Sequence, residues 1–150
     1  MIYTGKENFI KDVAAAAKED WNARHICLPS IIIALAIEGS SWGKRKEALL
    51  LNELFPHRRD GCMEKHESIH AAVCSHNNYL ATWQEKCQTA PNWREFVGQK
   101  NYILAIQYLQ DAEYPYYNSD EFESEIVGLI ETYGLNMYDE EDDDQYMEKN

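Results

Sequence analysis

A chain of 150 residues, 45% hydrophobic and with a net charge of −12, is long enough for one domain with a real core. It is too short for a second module of comparable size beside it. The acidity is lopsided: from Asp111 onward fourteen Asp and Glu stand against Lys149 alone, while residues 1–110 are close to neutral, which argues against direct nucleic-acid binding and suits a basic partner surface. No apolar run approaches the ~20 residues of a membrane span, and Met1-Ile2-Tyr3-Thr4-Gly5-Lys6-Glu7 lacks the basic-then-apolar pattern of a secretion signal. The expectation is a cytoplasmic protein without membrane contact.

Taken in chain order, residues 7–24 read as an amphipathic helix, because Phe9, Ile10, Val13, Ala16, Ala17 and Trp21 recur at spacings of three and four. Pro29 suits the first turn of a second helix. Its segment from Ile31 to Ile37 is apolar all round, as a central buried helix should be, and Gly39 reads as its C-terminal cap. A third helix is expected over 44–54, broken by Pro56-His57-Arg58-Arg59-Asp60-Gly61. Residues 67–83 and 93–109 read as further helices, with Ala90-Pro91-Asn92 between them as turn and cap. Ser119 and Asp120 can cap a last helix that runs to Ile130 or Tyr133 and stops at Gly134. The unbroken acidic run over 139–144 has no apolar periodicity and reads as a solvated tail. The predicted organisation is one helical domain over residues 1–138 followed by an acidic tail over 139–150.

The four cysteines, Cys27, Cys62, Cys74 and Cys87, have the spacing of neither a disulfide framework nor a Cys-x-x-Cys zinc site, so free thiols are the expectation. Cys62, His66, His70 and Cys74 lie four residues apart, but on one helix the ends of that row are ~18 Å from each other. Zinc ligands must converge to within about 2.0–2.3 Å of one ion. No metal site and no cofactor are predicted, and there is no phosphate loop or nucleotide-binding glycine pattern.

One stretch carries more than composition. Leu28-Pro29-Ser30-Ile31-Ile32-Ile33-Ala34-Leu35-Ala36-Ile37-Glu38-Gly39-Ser40-Ser41-Trp42-Gly43 resembles the segment Leu-Pro-Ser-Ile-x-Ile-Ala-Gln-Ala-x-Leu-Glu-Ser-x-Trp-Gly of peptidoglycan glucosaminidases, the lysozyme-like family of flagellar and autolysin enzymes. Asn52-Glu53-Leu54-Phe55-Pro56 stands where that family has Asn-Asn-Leu-Phe-Gly. The stretch from Trp93 to Tyr114 looks like its Tyr-x-x-Ala-x-x-Leu-Gln-x-x-Gly-Tyr-Ala-Thr element, represented here by Tyr102, Ala105, Leu109, Gln110 and Tyr114. The resemblance spans roughly residues 8–139. It implies a mainly α, lysozyme-like glucosaminidase domain of about six or seven helices with at most a small β-hairpin.

The resemblance also implies a damaged site. An ungapped alignment puts Gly39 where the family carries its catalytic glutamate and leaves Glu38 one residue early, turned about 100° around the helix. Tyr114 matches the tyrosine that the family places opposite its glutamate. Glycoside hydrolysis needs an acid for the leaving oxygen and a group that stabilises the oxocarbenium-like centre. Glu38 as acid and Tyr114 as stabiliser are therefore the catalytic candidates, with Trp42, Phe55 and Tyr116 as candidate cleft or binding aromatics.

Two readings of function follow. In the first, the chain is a catalytically degenerate glucosaminidase-fold protein, of a type found in phages and mobile elements, that binds a basic host protein, such as a nucleic-acid-binding one, for instance as an inhibitor of host defence. Asp139, Glu140, Glu141, Asp142, Asp143 and Asp144 would then form the binding surface. In the second, it is an active endo-N-acetylglucosaminidase or endolysin that cleaves peptidoglycan glycan with Glu38 as general acid. The displaced glutamate and the acidic C-terminal region favour the first.

Overall fold

A computed structural model describes residues 5–55, 65–86, 93–112, 114 and 121–140. Seven α-helices and one 3-10 helix account for most of them: α1 (Lys6–Arg24), α2 (Pro29–Ser40), α3 (Lys46–Leu51), α4 (Ile69–Lys86), α5 (Trp93–Phe96), α6 (Tyr102–Asp111), α7 (Phe122–Tyr133) and η1 (Leu135–Asp139). Among the described residues there is no β-strand, and the interval 56–64, where a hairpin was conceivable, lies outside them. The mainly α expectation holds.

Helix α2 is the axis of the molecule. Every one of its residues except Glu38 is buried, which accounts for a sequence without a polar face. It packs against α1, α7 and η1, while α1 also packs on α4, and α6 joins α5 to α7. The buried stripe of α1, Phe9, Ile10, Val13, Ala16, Ala17 and Trp21, is the one its spacing predicts.

Three local expectations need correction. Gly39 does not cap α2: the helix continues to Ser40, and Ser41 supplies the left-handed cap at φ 48° and ψ 57°. Ser40 makes the extra turn possible, because its hydroxyl donates to Ala36 O at 2.6 Å and accepts Gly43 N–H at 2.9 Å. The single helix expected over 93–109 is broken into α5 and α6. Gly98, at φ 83°, turns the chain there and donates its N–H to Ile26 O at 3.1 Å. Asn101 then caps α6 by accepting from Ile103 N and Leu104 N, both at 3.1 Å. Helix α3 is shorter than 44–54, stopped by Asn52 in the left-handed region at φ 54°. Ser119 and Asp120, the expected caps of α7, lie outside the described residues, whereas Gly134 closes that helix as expected.

Asp139, which composition assigns to the tail, belongs to the fold. The residue before α2 is Leu28, whose side chain can accept no hydrogen bond, so the first N–H groups of the helix lack a local cap. Asp139 fills that role from the far end of the described chain: Ser30 N–H donates to its Oδ1 at 2.8 Å and Ser30 Oγ–H to its Oδ2 at 2.5 Å. Burial raises the Asp139 carboxyl above the ordinary value, and the two bonds from Ser30 only partly offset this. A raised folded-state value means that this residue's contribution to stability is complete below the ordinary carboxylate range and declines as pH rises through the raised value. Asp139→Ala is expected to cost about 1 kcal/mol as a lost cap, and Asp139→Asn, which keeps an acceptor for Ser30 N–H, less. Urea titrations at several pH values check both, and the asparagine variant should lose this part of the pH dependence.

Candidate functional site

The chemistry of the interior begins on α4. Ile69, Ala72, Val73, His76, Asn77 and Leu80 are all buried and follow one another at the three- and four-residue spacing of a single helix face. Two polar residues therefore occupy core positions, and each is bonded. Asn77 Nδ2 donates to Asp20 Oδ2 on α1 at 2.7 Å. Its Oδ1 lies 3.1 Å from His76 Nδ1, and His76 Nε2 lies 2.5 Å from the Tyr114 hydroxyl. Arg24 completes the chain on the α1 side, donating from Nε at 2.9 Å and Nη2 at 2.5 Å to Asp20 Oδ1; its Nη1 bonds Asn78 Oδ1 and its Nη2 reaches Cys74 O at 3.3 Å.

Aromatic packing ties this chain to the 52–55 segment. Phe55 stacks on the His76 ring with centroids 4.0 Å apart and planes at 23°. Tyr114 meets the same ring edge-on at 5.6 Å and leans on Phe122 at 6.1 Å. Beside them lies a second buried polar unit, Glu53 with His66, Oε2 to Nε2 at 3.3 Å. Glu53 Oε1 also accepts Phe55 N–H at 3.2 Å, and Asn52 Nδ2 donates to His66 O at 3.0 Å.

The structure thus brings two of the sequence-derived candidates together, Phe55 and Tyr114, with His76 between them. Trp42 lies elsewhere. It sits at φ 62°, packs edge-on against Phe9 at 6.0 Å and Tyr133 at 5.0 Å, and carries the Lys6 ammonium 4.9 Å above its ring centre. Glu38 is half-buried on the last turn of α2 and Gly39 is buried beside it. Asp139 is committed to Ser30, and Glu140 is exposed. Tyr116, Glu141, Asp142, Asp143 and Asp144 lie outside the described residues.

His76, Asn77, Asp20 and Glu53 were not singled out from the sequence. A signal existed for the first two, since a histidine and an asparagine on the apolar stripe of α4 demand buried partners. The row of possible metal ligands is dispersed: His66 pairs with Glu53, His70 with Glu19 at 3.4 Å, Cys74 is an exposed free thiol, and Cys62 falls outside the described residues. Among the described residues no three His, Cys, Asp or Glu side chains sit together as a metal site. Cys27 is a buried free thiol, pushed well up by its burial and then by the nearby charges of Asp139 and Asp20. No described helix is long and apolar enough to cross a membrane.

A buried and largely apolar helix lies at the centre of this mainly α domain, and Tyr114 packs into the interior. Among solved structures, the chain superposes on the catalytic domain of the autolysin Auto from Listeria monocytogenes with a TM-score of 0.72, at 21% identity, over 93% of this chain and 90% of that domain. At that identity the likeness establishes the fold. No protein-family model matches the sequence, and neither does any curated protein.

Proposed function

We propose that this chain is a glucosaminidase-fold protein that no longer cleaves glycan and works by binding another macromolecule. The observation that supports this reading most directly is the state of the site. The position aligned with the family glutamate is Gly39, buried within α2. The aligned tyrosine, Tyr114, is 4% exposed with its hydroxyl held by His76. Removing the acid of such a site typically loses about 10²–10⁴-fold in rate. The partner that suits the chain is a basic protein surface, because the acidic residues concentrate after Asp111.

The test is digestion of purified peptidoglycan by wild type and Glu38→Gln, with released fragments identified by mass. Neither is expected to cleave, and Gly39→Glu is the variant in which cleavage could return. Wild-type cleavage that Glu38→Gln abolishes would overturn the proposal and make Glu38, half-buried at the helix end, the working acid of an active hydrolase. Binding is tested by neutralising residues 140–144 while leaving Asp139 in place, since Asp139 holds α2. Affinity for a basic protein should then fall, along with its sensitivity to salt.

A further inference from the structure

The chain Asp20, Asn77, His76, Tyr114 has a direction that its chemistry fixes. Asp20, paired with Arg24, is a carboxylate that can only accept. The Asn77 side chain must therefore turn its NH₂ toward Asp20, as it does at 2.7 Å, because the flipped amide would set oxygen against oxygen. That leaves Asn77 Oδ1, an acceptor, facing His76 Nδ1 at 3.1 Å. The shared proton must then reside on Nδ1. A neutral imidazole protonated at Nδ1 is an acceptor at Nε2, and the group 2.5 Å from Nε2 is the Tyr114 hydroxyl.

We infer that His76 is a positioning residue for Tyr114: held as the neutral Nδ1–H tautomer by Asn77 and Asp20, it takes the phenolic proton as a hydrogen bond and leaves the Tyr114 oxygen as an acceptor only. A ligand group that meets this oxygen must bring its own hydrogen, as a sugar hydroxyl, an amide N–H or an ammonium does; a carbonyl or carboxylate oxygen meets lone pairs. The consequence for ligand choice rests on Tyr114 being a retained residue of the glucosaminidase-type site, whereas the tautomer itself does not.

The experiment is a nitrogen-15 correlation spectrum of the histidine side chains in the full chain at neutral pH, recorded for wild type and for Tyr114→Phe. His76 is expected to show a protonated Nδ1 and an unprotonated Nε2, the reverse of the tautomer that free histidine prefers in water. In Tyr114→Phe, which keeps the ring packing and removes the hydroxyl, the Nε2 resonance should shift while Nδ1 stays protonated. A protonated Nε2 in wild type, or a doubly protonated ring, overturns the inference, because Tyr114 would then receive a hydrogen bond from His76. An Nε2 resonance unmoved by Tyr114→Phe overturns it equally. Neither outcome depends on whether the chain cleaves peptidoglycan, so failure here is distinct from failure of the proposed function.

Discussion

Truncating Phe9 to alanine is expected to lower the unfolding free energy by about 3–5 kcal/mol, the range for removing a fully buried aromatic ring. The ring is 0% exposed and lies edge-on to Trp42 at 6.0 Å, so its loss does more than leave a void between α1 and the end of α2. Ser41, Trp42 and Gly43 occupy the left-handed region in succession, at φ 48°, 62° and 77°. A bulky residue such as tryptophan holds that conformation only when its surroundings impose it. Phe9 on one side and Tyr133 on the other supply that constraint. Removing Phe9 should therefore loosen the turn that follows Glu38 and Gly39 as well as weaken the core. Equilibrium urea unfolding measures the loss, with Leu50→Ala as a control: Leu50 is 63% exposed, and its truncation should stay within about 0.5 kcal/mol of wild type. A Phe9→Ala loss no larger than that of the control would mean that this ring does not hold the α1 and α2 interface.

Much of this architecture is written in periodicity. The stripe of α1, the unbroken apolar run of α2 and the stop at Gly134 are local signals, and each leads to the observed element. The errors arise where a side chain acts beyond its own segment. Gly39 looks like a cap because glycine favours left-handed backbone, yet the hydroxyl of Ser40 satisfies the neighbouring groups and lets the helix run past it. Asp139 looks like solvent-facing charge, and its contact with Ser30 spans 109 residues of sequence, a pairing that no local pattern encodes. The site divides in the same manner. Phe55 and Tyr114 converge through His76, a residue conspicuous only once α4 is seen to bury one face. Trp42 sits next to the displaced glutamate in sequence, but the left-handed turn carries it to the α1 and α7 side of the molecule. Proximity along the chain was a poor guide there because the backbone turns into the left-handed region at Ser41 and Trp42.

Replacing Asn77 by leucine separates the two ends of the buried polar chain and is expected to cost about 2–6 kcal/mol, since two groups lose a partner at about 1–3 kcal/mol each. Leucine has the same branched heavy-atom skeleton as asparagine, so it fills the site without opening a cavity. What disappears is the donor to Asp20 Oδ2 and the acceptor for His76 Nδ1. Asn77→Asp makes a sharper comparison, because it keeps the acceptor facing His76 and replaces the donor with a second carboxyl oxygen against Asp20. Two carboxylates at hydrogen-bond distance cannot both stay ionised without a large penalty. The folded-state value of the pair is therefore raised, and the aspartate variant should regain stability as pH falls through that value, up to the point where the extra proton restores a donor between the two side chains. The leucine variant has no such route and should show a loss that changes little over the same pH interval. Unfolding free energies of the two variants between neutral pH and about pH 4, the ordinary carboxylate range, separate the explanations. Recovery in the aspartate variant alone identifies hydrogen-bond polarity as the cost, whereas equal and pH-independent losses would place it in the shape of the side chain, with the Asp20 contact contributing little.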